Sequence, residues 1–274
     1  MNPLVHLDVR GLELAYGSFV LMRNLNFQIL RGEVFVIMGA SGCGKSTLLR
    51  QLLGLKESTR GAILYQDRDL ASASPDDRKI ISRRFGVLFQ TGALWTSLTL
   101  AENVALPIEE FTRLSRHEID DLARLKLAWV GLSGFEEYYP AEVSGGMVKR
   151  AALARALALD PEILFFDEPS AGLDPVSSRR LDDLLLQLRE GLGTTVVVVT
   201  HELSSIFAIA DRALFLSAQR RTQTALGQPR MLIEGPDPEV REFLTRGAQP
   251  ASVPARPHPD ASAPIPQSHE PESP

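Results

Sequence analysis

Eight consecutive residues, Gly39-Ala40-Ser41-Gly42-Cys43-Gly44-Lys45-Ser46, carry the densest chemistry in the sequence. A glycine, four further residues and then Gly-Lys-Ser have the spacing of a phosphate cradle. Glycines at 39, 42 and 44 allow backbone conformations closed to other residues, so successive N–H groups can converge on one anion. The helix expected to begin here, through Thr47, adds a partly positive N-terminus. Lys45 is placed to reach the β- and γ-phosphates of a nucleoside triphosphate, and the Ser46 hydroxyl to coordinate Mg²⁺.

Two further clusters could share that chemistry. The apolar run Ile163-Leu164-Phe165-Phe166 ends in Asp167-Glu168, which puts two carboxylates at the carboxyl edge of a sheet, where open α/β folds bind ligands. Asp167 is expected to hold Mg²⁺ through its water shell, and Glu168 to orient and polarise an attacking water. Ser144-Gly145-Gly146-Met147 precedes a long helical stretch, 148–157. Ser144 suits the cap of that helix, and the two glycines would expose its first amides as a second anion site.

Buried strands must position these groups. Short apolar runs bounded by breakers occur at 34–38, 86–89, 163–166, 195–199 and 213–216, and they alternate with helical patterns, which predicts a mainly parallel sheet with helices on both faces. From Leu4 to Leu30 apolar and polar residues alternate around Gly17-Ser18, predicting an antiparallel sheet beside the main one. Between about 92 and 143 the pattern turns helical without strands: Thr99 opens one helix and 116–129 forms a longer amphipathic one. Leu181, Leu184, Leu185, Leu188 and Leu192 recur at helical spacing as a packing face. From about Ala248 the chain is proline-rich with few apolar residues, a composition that cannot build a core.

The bulk numbers exclude several classes. Hydrophobic residues at 44% and charged residues at 23% are ordinary for a globular protein. A net charge of -5 gives no reason to expect nucleic acid. No apolar stretch is long enough to span a bilayer, and the start, Met1-Asn2-Pro3-Leu4-Val5-His6, is not patterned as a secretory signal; a cytoplasmic setting is expected. Cys43 is the single cysteine, which rules out an internal disulfide and a cysteine-built zinc site. The nearby helix N-terminus should favour its thiolate, although the favoured reading is simply that a small residue fits there.

Taken together, these motifs resemble the nucleotide-binding subunit of ATP-binding cassette (ABC) transporters, over the chain to about residue 246. The order is that of the family: phosphate loop 39–47, Gln90 as the glutamine loop, signature 144–147, Asp167-Glu168, a dimer-contact loop Ala171-Gly172-Leu173-Asp174, and His201 as the switch histidine. Tyr16 stands where the family places an aromatic residue that stacks on adenine. The resemblance implies an α/β fold: a P-loop NTPase (RecA-like) core with an N-terminal antiparallel β segment and an inserted α-helical subdomain. In this reading the nucleotide-binding domain is 1–246, its helical subdomain is about 92–143, and 247–274 is a disordered tail.

The resemblance also implies a mechanism. Two subunits would close head-to-tail, each ATP held between one phosphate loop and the other subunit's Ser144, Gly145 and Gly146. Gln90 would join Ser46 and Asp167 at the magnesium ion, sense the γ-phosphate and relay to the helical subdomain. His201 would stabilise charge on that phosphate while Glu168 positions water and Lys45 holds the phosphates. Cassettes of DNA repair, translation or chromosome structure usually carry two cassettes, zinc cysteines or a long coiled coil, none of which is present here.

The signature departs from the usual pattern, with Met147 in place of glutamine and Val143 in place of leucine. With the stretches 88–99, 102–107 and 200–212, these departures are similar to the ATPases of MCE-domain (mammalian cell entry) lipid transporters, such as the bacterial Mla system. That likeness implies a homodimer at the cytoplasmic face of a bacterial inner membrane, paired with permease subunits and an MCE-domain protein, moving phospholipid or another hydrophobic cargo. The alternative is the ATPase of an importer for a small polar solute such as an amino acid. Ala93, Leu94 and Trp95 are candidates for the permease contact; packing of Trp95 within the helical subdomain is the competing reading.

Overall fold

The computed structural model describes residues 4–57 and 60–245. The chain opens with β1 (Val5–Tyr16) and β2 (Phe19–Leu30), then β3 (Val34–Gly39), which leads through the phosphate loop into α1 (Lys45–Leu52). Next come β4 (Arg60–Tyr65), β5 (Arg68–Asp69), α2 (Pro75–Ser82) and β6 (Phe85–Leu88). Three helices follow without intervening strands: α3 (Leu100–Phe111), α4 (Arg116–Trp129) and α5 (Gly145–Ala156). The remainder alternates: β7 (Ile163–Asp167), α6 (Pro175–Leu192), β8 (Thr195–Val199), α7 (Leu203–Ile209), β9 (Arg212–Ser217) and β10 (Thr222–Gly227), before α8 (Pro229–Ile233) and α9 (Pro238–Thr245). The proline-rich stretch 247–274 lies outside the described residues.

The strands form two sheets. A six-stranded sheet has the order β10-β9-β3-β8-β7-β6, parallel except for β10, and a four-stranded antiparallel sheet has the order β2-β1-β4-β5. Side chains alternate across a strand, so the central strands feed two separate cores. Val34, Val36, Met38, Leu164, Phe166, Val196 and Val198 face the core that includes residues of α3 to α6. Phe35, Ile37, Ile163, Phe165, Val197 and Val199 face α1 and the antiparallel sheet. The smaller sheet therefore stacks across one face of the larger instead of lying beside it, because β1 and β2 each present an unbroken apolar row (Leu7, Val9, Leu12, Leu14; Met22, Leu25, Phe27, Ile29) that must be covered.

Elsewhere the boundaries shift slightly. The strand expected at 86–89 runs Phe85–Leu88, and β4, β5 and β10 were not foreseen. On α6, Leu181, Leu185 and Leu188 are buried as expected, but Leu192 is exposed and Leu186 takes an inward position. Both α3 and α4 start with reciprocal capping boxes, Thr99 with Glu102 and Ser115 with Glu118, which satisfy two amides at each end.

At the edge of the main sheet away from the phosphate loop, Glu162 gathers donors from several elements. It accepts from Tyr65 Oη at 2.8 Å, Gln66 Nε2 at 2.9 Å, Arg84 Nη1 at 2.6 Å and His6 Nε2 at 3.3 Å. Burial above all lowers the His6 pKa to about 4, so this imidazole is neutral at physiological pH. Its Nδ1 lies 2.7 Å from Thr195 Oγ1 of β8. The antiparallel sheet is thus pinned to the parallel one at this edge.

Candidate active site

β3 is buried along its whole length and ends at Gly39, where φ is +149° and an added Cβ would lie 2.5 Å from the Leu216 carbonyl oxygen. Only glycine fits this turn. Gly44 begins α1 at φ +106°, and no side chain caps the helix, which leaves the first-turn amides to an anion. Lys45 Nζ donates to the Gly39 and Ala40 carbonyls at 3.0 and 3.1 Å. Cys43 is buried, and burial pushes its thiol up. The expected thiolate is therefore disfavoured: desolvation outweighs the pull of the helix end and of Lys45.

β3, β8 and β7 are neighbours in the sheet, so their carboxyl ends deliver the remaining groups together. Ser46 Oγ donates to Asp167 Oδ1 at 2.9 Å. Burial raises the Asp167 pKa, and the Ser46 hydrogen bond opposes that rise. Glu168 follows at φ +49°, its amide donating to the Val199 carbonyl at 2.8 Å. Its carboxylate meets His201 Nδ1 at 2.9 and 3.0 Å. The carboxylate is largely buried and the imidazole exposed. His201 and Glu202 enter α7, which is fastened to α6 by Ser205 Oγ donating to Asp182 at 2.8 Å. Burial pushes the Asp182 carboxyl up to about 6.

The outer residues are more spread. Tyr16 Oη lies 2.9 Å from Thr47 Oγ1, and Lys56 Nζ sits 3.1 Å over the centroid of its ring. One face of the Tyr16 ring is therefore taken by a cation. Gln90 is exposed just beyond β6. Ser144 caps α5 by accepting from the Met147 amide at 3.3 Å, with Gly145 exposed and Gly146 half-buried. Among the described residues no hydrogen bond joins Ser144, Gly145 or Gly146 to the phosphate loop. Met147 and Val143 pack against the larger core, an apolar task that suits methionine in place of glutamine; nothing in the structure explains valine in place of leucine. Trp95 is 64% exposed, against the packing alternative.

Sequence reasoning passed over four residues. Lys56 is the cation on Tyr16. Arg155 donates to the Gly92 and Ala93 carbonyls at 2.9 and 2.8 Å, holding the segment after Gln90. Asn103 is fully buried and exchanges both backbone bonds with Trp95, at 2.7 and 3.0 Å. Lys149 donates to the Pro169 and Ala171 carbonyls, both at 2.6 Å. Its one available signal was a charge followed one turn later by Ala152 and Leu153, which marks the buried face of a helix.

The ABC transporter family model matches residues 22–171, from β2 to just beyond Glu168. The chain belongs to the ABC transporter family. This cassette is 40% identical over 240 residues to the probable ribonucleotide transport ATP-binding protein mkl of Mycobacterium tuberculosis, covering 88% of the cassette and 66% of that protein. It thus spans just under two thirds of the length of that relative. It is also 40% identical over 238 residues to the intermembrane phospholipid transport system ATP-binding protein MlaF of Haemophilus influenzae, covering 87% of the cassette and 89% of that protein. Among solved structures, the cassette is similar to a dimeric post-hydrolysis state of the ATP-binding cassette MJ0796 bound to ADP and Pi, with a TM-score of 0.74 and 31% identity over 81% of this chain and 98% of that one. It is likewise similar to cbiO1 of Clostridium perfringens, part of the ABC transporter complex cbiONQ, with a TM-score of 0.77 and 26% identity over 84% and 91% of the two chains.

Proposed function

We propose that this chain is the ATP-hydrolysing subunit of a lipid transporter, closing with a second copy around two ATP and driving a separate permease that moves phospholipid or another hydrophobic cargo. The observation that carries the reading is the convergence of Lys45, Ser46–Asp167 and Glu168–His201 on one edge of the sheet. Ser46 and Asp167 offer the hard oxygen donors that Mg²⁺ prefers, and few protein ligands suffice where phosphates complete the shell. When bound, MgATP supplies the γ-phosphoryl group whose transfer to water is the reaction.

The residues of this chain divide the work. Lys45 exchanges its carbonyl partners for phosphate oxygens, and Tyr16, Ala40, Ser41 and the loop amides from Gly39 to Thr47 hold the nucleotide. Glu168 accepts hydrogen bonds from a water and aligns it, while His201, bonded to Glu168, presents its other nitrogen toward developing phosphate charge. Gln90 joins the metal shell and relays to the helical unit at about 92–143, where Ala93, Leu94 and Trp95 meet the permease. In this reading 1–246 is one nucleotide-binding domain, and 247–274 lies outside the described residues.

Lipid cargo rests on the likeness to MlaF, which runs along nearly the full length of both chains. The chain then sits on the cytoplasmic face of an inner membrane beside an MCE-domain protein; no helix among the described residues is long and apolar enough to cross that membrane. The name of the mycobacterial relative favours a second reading, a permease for a small polar solute, although the likeness there covers a smaller share of the relative. Affinity purification of tagged Glu168→Gln chain from gently solubilised membranes separates the two. Recovery of a permease with an MCE-domain protein and bound lipid supports the first; recovery of a solute permease with a soluble binding protein supports the second and defeats the first.

A further inference from the structure

Resting on the cassette reading above, we propose that Lys149 is a positioning residue that ties the signature helix of a subunit to the same subunit's Glu168 loop, so that the anion site at Ser144–Gly146 and the catalytic carboxylate move as one piece. Lys149 lies on α5, little more than one turn beyond the cap at Ser144, and is 7% exposed. Its ammonium donates to the Pro169 and Ala171 carbonyls, which flank Ser170 directly after Glu168. No carboxylate lies within ion-pair distance of it among the described residues; the two carbonyls meet the ammonium directly, and the Glu202 and Glu168 charges attract it from farther off. Burying an ammonium is costly, and the carbonyls of this loop offset part of that cost.

That loop is held only in part by its own backbone. Glu168 sits at φ +49°, a strained conformation for a glutamate. The buried Ser170 hydroxyl has no hydrogen-bond partner among the described residues. The turn is closed by two backbone bonds of its own, Ala171 N to Glu168 O at 3.1 Å and Leu173 N to Ser170 O at 3.0 Å. Lys149 adds two charge-assisted bonds, stronger than neutral ones. An anion drawn onto the first turn of α5 by a neighbouring subunit therefore acts on a rigid helix whose next turn grips the carbonyls beside Glu168.

The test compares the full chain with Lys149→Met, which keeps the length of the side chain but donates nothing, and Lys149→Arg, which still donates. In the Met variant hydrogen exchange at the Ala171 and Leu173 amides, without nucleotide, should quicken at least tenfold. Its kcat for ATP should fall at least tenfold with nucleotide Kd within twofold of wild type, and the Arg variant should keep at least a third of the wild-type kcat. Unchanged exchange in the Met variant overturns the inference whatever the ATPase does. So does a Met variant that loses nucleotide binding in step with turnover, which would mark a merely structural lysine. A wild-type chain that fails to hydrolyse ATP defeats the cassette reading instead, and the exchange result still decides the inference.

Discussion

The imidazole of His201 bridges both carboxylate oxygens of Glu168, from Nδ1 at 2.9 and 3.0 Å. A single ring nitrogen thereby fixes the direction of the carboxylate and leaves Nε2 outside that pairing. Replacing Glu168 with glutamine keeps the shape but removes the charge that aligns water. Turnover should fall at least a hundredfold, about 2.7 kcal/mol in the barrier, and the variant should accumulate as an ATP-bound dimer in size-exclusion chromatography. Normal hydrolysis by Glu168→Gln would remove Glu168 from its role.

Ser46 and Asp167 are joined at 2.9 Å, and each is assigned to the magnesium shell. Asp167→Asn retains the hydrogen-bond geometry but weakens the attraction for a divalent cation. The Mg²⁺ concentration for half-maximal turnover should rise at least tenfold, while ATP binding in chelator changes less than threefold. An unaltered Mg²⁺ titration would place the metal elsewhere.

Asp182 brings a pH dependence to stability. Its carboxyl is held at about 6 by burial, with Ser205 opposing the shift, Glu202 and Asp183 adding to it, and Arg179 opposing it; an unfolded aspartate titrates near about 3.9. Between those values the folded chain binds more protons than the unfolded one, so stability falls as pH rises through the window. The loss is bounded at roughly 3 kcal/mol by the size of the shift. Asp182→Asn should therefore raise Tm relative to wild type at pH 8 and lose most of that advantage near pH 4. Parallel Tm curves across this range would count against a raised pKa.

Trp95 and Asn103 separate contact from scaffold. The indole is 64% exposed, so Trp95→Ala should change stability by less than about 0.5 kcal/mol while uncoupling ATP turnover from the permease. Asn103 is fully buried and holds the carbonyls of Trp95, Leu98 and Thr99 as well as the Trp95 amide. Asn103→Ala should cost about 2–3 kcal/mol by leaving those groups unpaired. Chemical denaturation of the two variants checks both numbers, and an equally large loss for Trp95→Ala would defeat its role as a surface contact.

How far the sequence reveals this molecule depends on how local the cause is. β8 was readable at its true limits because five β-branched residues in a row suit a strand buried on both faces. α4 was readable at 116–129 because its apolar residues recur at helical spacing. In contrast, β10 has no fully buried residue and β5 is two residues long, so neither carries a pattern. The reactive groups at strand ends were legible because their roles follow from fixed spacing. The fastenings of Lys149, Arg155 and Asn103 run to backbone carbonyls, which every residue possesses, so nothing in the receiving sequence marks them. The helix N-terminus pulls Cys43 toward the thiolate, and only packing reveals that burial pushes its pKa the other way, in keeping with a small residue that simply fits.

The pin at Glu162 has a consequence for base recognition. His6 and Tyr16 are ten residues apart on β1, on the order of 30 Å along an extended strand. The Tyr16 ring, proposed above to hold the nucleotide, therefore rides at one end of a ribbon whose other end is bolted at Glu162. Leverage of this kind makes purine affinity a remote property: Glu162→Gln, far from any phosphate, should weaken ATP binding severalfold at unchanged kcat, whereas an unaltered Kd would mean that the ribbon is aligned by its own stacking.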